Sequence, residues 1–289
     1  MKRPLFTGVC TALVTPFIHE EINYPLLERL LERQLLAGIS TVVLAGTTGE
    51  APTLSDEEKS KMITRAKNFV GNDCMIIAGT GTNSTTHAVK ISCEAEKAGA
   101  DALLVVAPYY NKGNQDGLIK HFLAIASAVS IPIILYNVSS RTGHDLSVEI
   151  YRELSQCSNI VGVKEASSDI TKISKIRYSC KENFHIWTGN DDLIVPAISL
   201  GSKGVISVLS NLCPEETVEM ANAALRNDYE TAGAYQAALS PLIEILFSET
   251  NPIPIKYAMR YAGFDCGECR LPLGTVSKAT RKRLESLFE

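Results

Sequence analysis

Two side chains in this sequence could do carbonyl chemistry together. Lys164 ends the run Asn159-Ile160-Val161-Gly162-Val163-Lys164. Side chains alternate along a strand, so Ile160, Gly162 and Lys164 share one face. If Val161 and Val163 meet a covering layer, Lys164 points into an interior. Burial disfavours the charged ammonium, and the neutral amine is the nucleophile that condenses with a ketone to a Schiff base. The strand alone is equally compatible with a lysine that snorkels to solvent. Tyr136 ends Ile131-Pro132-Ile133-Ile134-Leu135-Tyr136 in the same way. On neighbouring strands, roughly 4.8 Å apart, the phenol and the amine would converge, and the phenol could shuttle protons for the Schiff base. An ordinary core tyrosine, hydrogen-bonded at the rim, is the plainer reading of that residue by itself.

Loops rich in glycine and hydroxyls follow other strand candidates. Gly46-Thr47-Thr48-Gly49-Glu50 offers free N–H groups and two hydroxyls, suited to a small carboxylate, though a plain turn reads equally well. Gly79-Thr80-Gly81-Thr82-Asn83 is of the same kind. The pair Tyr109-Tyr110 is more in keeping with an interface than with catalysis. Arg141 is the nearest cation after Tyr136 for a second carboxylate, and a solvated loop arginine is at least as good a reading. No HExxH, His pair or acidic cluster with metal spacing stands at a strand end, which disfavours a metal-dependent mechanism. GxSxG and Walker motifs are absent as well. Cys266-Gly-Glu-Cys269 is a single CxxC with no second pair, and reads as loop thiols rather than a zinc or redox site.

These residues need a frame, and the rest of the chain supplies one. Short β-branched runs at 8–13, 41–45, 75–79, 102–107, 131–136, 160–164, 184–188 and 204–208 start roughly 20–34 residues apart, the spacing of βα units. Between them run helical patterns. Leu26, Leu27, Leu30, Leu31 and Leu35 keep the 3.6 period, with Pro25 in the first turn and Gly38 as a stop. Ser55-Asp56-Glu57-Glu58 is a capping box. Segments 117–129 and 145–154 are amphipathic, and Gly99 and Gly201 stand where helices should end. Eight strands with helices between them predict an α/β fold, a closed (β/α)8 barrel. An open doubly wound sheet is the rival, but it needs about six strands and a glycine fingerprint after the first, where Thr15-Pro16-Phe17 stands. Patterns at 214–226, 228–247, 255–262 and 276–288 predict a helical extension, so residues 1–225 read as the barrel and 226–289 as a C-terminal helical region.

Composition agrees. The chain has 289 residues, 45% of them hydrophobic, enough for a large core and too many for disorder. A net charge of −4 argues against nucleic-acid or membrane-surface binding. No apolar run approaches the roughly 18 residues of a membrane span. Met1-Lys2-Arg3-Pro4 leads into a strand with no leader pattern, so the expected location is the cytoplasm, where the eight cysteines stay reduced.

Taken in order, GTTGE at 46–50, GTGTNST at 79–85, PYYNK at 108–112, YN with RTG at 136–143, GVKEAS at 162–167, TGND at 188–191, GVISV at 204–208 and NPIPIK at 251–256 span nearly the whole chain. This set resembles the dihydrodipicolinate synthase family of pyruvate-dependent class I aldolases. The resemblance implies condensation of pyruvate with L-aspartate 4-semialdehyde, the first committed step of the diaminopimelate route to lysine. It implies that Lys164 carries the Schiff base and that Tyr136 moves protons. Thr47 and Tyr110 complete the relay, Tyr110 reaching in from a neighbouring subunit. Thr48, Gly189 and the backbone near Ile206 hold pyruvate, and Arg141 receives the carboxylate of the second substrate. No metal or organic cofactor is implied. The usual assembly is a homotetramer, a dimer of dimers.

The resemblance has departures. Ser139 stands where the family commonly has Pro after Tyr-Asn-Val, so the loop carrying Arg141 should be less stiff. In lysine-inhibited members an acidic residue and histidines line the effector cleft. Here the corresponding set is Asn83, His87, Tyr109, Ala51, Asp56 and Lys59. Asn83 and Tyr109 match the inhibited pattern, while a His and a Lys would repel a cationic effector, so lysine inhibition is expected to be weak or absent. N-acetylneuraminate lyase and 2-keto-3-deoxy sugar acid aldolases share the Lys, the Tyr and the pyruvate pocket, but differ at the loops facing the second substrate. A non-enzymatic keto-acid sensor should have lost Lys164 or Tyr136, and both are present.

Overall fold

A computed structural model describes residues 3–288; Met1 and Lys2 of the opening segment and Glu289 lie outside the described residues. Eight short parallel strands close on themselves: β1 Gly8–Ala12, β2 Thr41–Leu44, β3 Met75–Gly79, β4 Ala102–Val106, β5 Ile133–Asn137, β6 Ile160–Glu165, β7 His185–Thr188 and β8 Gly204–Ser207. Each pairs with the next in chain order, and β8 pairs back with β1, Gly8 opposite Gly204 and Cys10 opposite Ile206. The fold is a (β/α)8 barrel. Its strands are apolar on both faces because both are covered, as a parallel sheet requires.

Helices α1 Tyr24–Leu36, α2 Asp56–Val70, α3 Thr85–Lys97, α4 Gln115–Ala128, α5 Val148–Leu154, α6 Thr171–Ser179, α7 Ile194–Ser199 and α8 Pro214–Leu225 follow the strands. Leu26, Leu27, Leu30 and Leu31 of α1 are buried against the barrel, each contributing roughly 1.5–3 kcal/mol of burial. Ser55 and Glu58 form the expected reciprocal cap on α2, 2.8 and 3.1 Å. Gly99 and Gly201 end their helices at φ +98° and +102°, a conformation in which a Cβ is strained. After β8 come α9 Tyr229–Leu246, α10 Ile253–Ala258 and α11 Lys278–Phe288. Leu242, Leu246, Ile255 and Leu284 of these helices join the core between barrel and helices.

A second apolar cluster fills the barrel's inside: Cys10, Val43, Ile77, Leu104, Ile134, Tyr136, Trp187 and Ile206. Phe6 stacks on Trp187 at the N-terminal end, centroids 4.8 Å apart, and Trp187 Nε1 donates to the Phe6 carbonyl at 3.2 Å. That end is plugged, so the interior opens toward the C-terminal ends of the strands. Several short features had no counterpart in the periodicity. A hairpin, Phe17–Ile18 with Glu21–Ile22, follows β1, and the residues after Val138 form one helical turn, Ser139–Thr142. Among the described residues no helix is long and apolar enough to cross a membrane.

Candidate active site

The register places Tyr136 directly opposite Lys164 and Lys164 opposite Trp187. All three therefore face inward on adjoining strands. Lys164 is 4% exposed and Tyr136 6%, so the lysine does not snorkel to solvent. Its Nζ lies 4.6 Å from the centroid of the Tyr136 ring. Such proximity lets the phenol oxygen and the amine address one small molecule between them.

Room for that lysine comes from the residue that follows β7. A Cβ on Gly189 would sit 2.6 Å from Lys164 Cε and 2.7 Å from Ala166 Cβ, so any side chain there would displace the amine. Ile206 is fully buried on β8, in the same interior layer. Cys10 also belongs to this layer; burial pushes its thiol well above the usual range against the pull of the Lys164 charge, which leaves it a neutral wall group.

The loop after β2 places Thr47 half-buried and Thr48 buried. Thr48 Oγ1 accepts from Asn251 Nδ2 at 3.0 Å, and the Asn251 carbonyl accepts from Arg141 Nη2 at 2.9 Å. One residue of the segment before α10 thus ties two expected carboxylate-binding groups together. The turn Ser139–Thr142 is closed by the Gly143 N–H donating to the Ser139 carbonyl, and its arginine is hydrogen-bonded to Asn251. Glu50, at the end of the same loop, forms a buried ion pair with Lys256 at 2.8 Å, and its other oxygen accepts from the Arg270 N–H at 2.9 Å.

Asp191 was not singled out by the sequence reading, although its motif was. It is fully buried after β7, and its Oδ2 accepts from the N–H groups of Val208 and Leu209 at 2.9 and 3.0 Å. Burial pushes its carboxyl up, against donation from Ser207, Leu209 and Val208. The carboxylate thereby fixes the loop that follows Ile206. Asn251 was likewise visible only as part of NPIPIK.

The structure leaves Tyr110 apart from this group. It is 90% exposed with φ +69°, on the rim after β4. Of the six residues of the expected effector cleft, Ala51 follows β2, Asp56 and Lys59 begin α2, Asn83 and His87 flank the start of α3, and Tyr109 stands after β4. His87 Nε2 is 3.0 Å from Asp56 Oδ1, and Lys90 Nζ donates to Asp56 Oδ2 at 2.8 Å; both neighbours hold the Asp56 carboxyl below its usual value. Lys59 is half-buried and burial lowers its ammonium pKa. The Asn83 carbonyl accepts from Asn111, while Ala51 and Tyr109 are half-buried. Cys266 and Cys269 are buried, and desolvation raises both thiols to about 12, so they are protonated and unreactive at neutral pH. A cleft of about 920 Å³ opens beside the rim between α9 and the loops after β5, β6 and β7, lined by Ser140, Ala166, Asn190 and Ser248 among others.

The sequence pattern of the dihydrodipicolinate synthetase family matches residues 5–289. A 4-hydroxy-tetrahydrodipicolinate synthase of Thermoanaerobacter sp. (strain X514) is 47% identical over 286 residues, 99% of this chain and 96% of that protein. The crystal structure of dihydrodipicolinate synthase from Aquifex aeolicus is similar at a TM-score of 0.95 and 42% identity, over 98% of this chain and 97% of that one. A monomeric dihydrodipicolinate synthase variant is similar at a TM-score of 0.95 and 39% identity, over 98% and 95% of the two chains.

Proposed function

The chain belongs to the dihydrodipicolinate synthetase family, and from that premise we propose how its pocket condenses pyruvate with L-aspartate 4-semialdehyde to 4-hydroxy-tetrahydrodipicolinate. The activity is that of a lyase of the aldolase type, in lysine and diaminopimelate biosynthesis. The observation that carries the residue assignment is the buried Lys164 amine at the C-terminal mouth of the barrel, against the Tyr136 ring.

In this reading Lys164 Nζ adds to C2 of pyruvate, and water leaves as the iminium forms. Loss of a methyl proton gives the enamine, whose carbon attacks the aldehyde of the second substrate. Tyr136 relays the protons that these steps release and consume. The amino group of the second substrate then displaces Lys164 and closes the ring. Thr48, Gly189 and the Ile206 backbone seat pyruvate, and Arg141 pairs with the second substrate's carboxylate. Thr47 and Tyr110 extend the relay, Tyr110 from a second copy of the chain. An aromatic side chain that is 90% exposed on a left-handed backbone suits such a role. The assembly proposed is a homotetramer, with residues 1–225 as the catalytic barrel and 226–289 as its helical extension. Eight unpaired cysteines suit a reducing compartment, the cytoplasm.

The cleft at Asn83, His87, Tyr109, Ala51, Asp56 and Lys59 is proposed to bind lysine weakly or not at all, because its acidic group, Asp56, is already engaged by His87 and Lys90, and Lys59 stands beside it. Half-inhibition by sub-millimolar lysine in a steady-state assay contradicts this. Substrate identity is tested by pairing pyruvate in turn with aspartate 4-semialdehyde and with sugar aldehydes. Turnover with the first alone is expected, and comparable kcat/KM with a sugar aldehyde overturns the assignment.

A further inference from the structure

The wall behind the two reacting side chains carries a buried polar cluster that the reaction does not consume. Because strands alternate, the residues after Tyr136 and Lys164 point away from the pocket, into the layer between barrel and helices. These are Asn137 and Glu165, 0% and 4% exposed and paired in register. Asn137 Nδ2 donates to Glu165 Oε1 at 2.8 Å and to Asp145 Oδ1 at 2.7 Å, while its Oδ1 accepts from the Leu146 N–H at 3.1 Å. Glu165 also accepts from the Ser167 N–H at 2.9 Å and the Tyr151 hydroxyl at 3.0 Å. Lys172, 5% exposed, supplies the counter-charge: its Nζ donates to Asp145 and lies 3.7 Å from Glu165 Oε2.

Burying a carboxylate is costly unless its oxygens are satisfied, and a barrel strand can end on apolar groups instead. The β5–β6 ladder shows why polar groups are useful here. Ile133 pairs with Ile160, but Ile134 pairs with Gly162, so one extra residue of β6 is accommodated at that point. Such an irregularity uncouples the register above it from the register below. A one-residue slip on either strand would turn Lys164 or Tyr136 out of the pocket. The paired arrangement of Asn137 with Glu165 exists only in the register that sets Tyr136 opposite Lys164.

We propose that Asn137 and Glu165, backed by Tyr151 and Lys172, form a register lock that holds the Lys164 amine and the Tyr136 phenol at working distance. They are positioning residues, and the proposal rests on reading Lys164 as the Schiff-base lysine. Its test is steady-state kinetics together with exchange of the pyruvate methyl protons, which reports enamine formation without the second substrate. Asn137→Ala and Glu165→Ala are expected to lower kcat and methyl exchange about 10–100-fold with the pyruvate KM within about 3-fold. Glu165→Gln, which keeps an acceptor for Asn137, retains more activity than Glu165→Ala, and the double alanine variant is little worse than either single one. Tyr151→Phe removes one hydroxyl without emptying space, and lowers kcat about 3-fold or more even where the alanine variants fail to fold. Leu154→Ala, a core truncation at the end of α5, provides the control: it lowers the melting temperature and leaves kcat unchanged. The proposal is overturned if Tyr151→Phe and Glu165→Gln both match the wild type, or if Leu154→Ala loses kcat in step with the others at equal loss of melting temperature. Failure of the wild type to exchange methyl protons would instead overturn the Schiff-base reading itself.

Discussion

Gly189 sets how much space the Lys164 side chain has. A methyl group there would overlap Lys164 Cε at 2.6 Å, so Gly189→Ala should lower kcat at least about tenfold through misplacement of the amine. Circular dichroism and melting should stay close to wild type; a variant with full kcat contradicts the steric account. At this scale the convergence of Lys164 and Tyr136 was readable because side chains alternate along a strand. Ile134 and Gly162 share the interior face with Tyr136 and Lys164, but Ile160, expected on that face, lies in the outer core and Val161 packs inward, because the β5–β6 register shifts between Ile133 and Ile134. Asn251, Asp191 and Glu165 were hidden within their motifs. Asn251 acts on Thr48, 203 residues away in sequence, and no local period encodes such a contact. The outward side of the Tyr-Asn and Lys-Glu pairs carries information too, but it becomes visible only when β5 and β6 are placed side by side.

Among the elements, the eight strands were legible within a residue or two because β-branched runs bounded by polar turns have few alternatives in a chain of this spacing. The hairpin at Phe17–Ile18 and Glu21–Ile22 was not, since two-residue strands show no period and its turn holds His19 and Glu20, not Gly, at positive φ. Packing between elements makes two predictions. His121 of α4 is 4% exposed, its Nδ1 is 2.9 Å from Thr85 Oγ1 on α3, and burial lowers its pKa to about 4. The folded state refuses a proton that the unfolded chain accepts below about 6.5. No stability is lost above that pH, and stability falls as pH drops from about 6.5 to about 4, by on the order of 3 kcal/mol. His121→Gln should flatten this part of a urea-denaturation pH series; an unchanged slope contradicts it. The second concerns the Glu50–Lys256 pair, which pins the Thr47-Thr48 loop to α10 with side chains 0% and 2% exposed. Lys256→Met leaves a buried carboxylate uncompensated and should cost about 3–5 kcal/mol, read from denaturant midpoints. A loss under about 1 kcal/mol would contradict the pair's role.

The whole molecule is a closed cylinder with one plugged end, and closure is what brings loops from distant parts of the chain to one mouth. That much followed from counting strands, and the C-terminal helices followed from their periods, because both depend on burial alone. Contacts with another copy would not. Tyr110, exposed in the single chain, predicts that activity depends on assembly. Sedimentation should find a multimer at working concentration, and Tyr110→Phe should lose turnover while keeping that assembly. A monomer with full kcat contradicts the shared relay, and a monomeric synthase variant among similar structures makes the measurement informative. Every role assigned to the mouth of the barrel depends on the amine of Lys164. The most direct test is borohydride reduction of the intact protein in the presence of pyruvate, followed by peptide mass mapping. One reduced pyruvyl adduct per chain is expected, located on Lys164 and lost in Lys164→Ala. An adduct on another lysine, or none at all, contradicts the account.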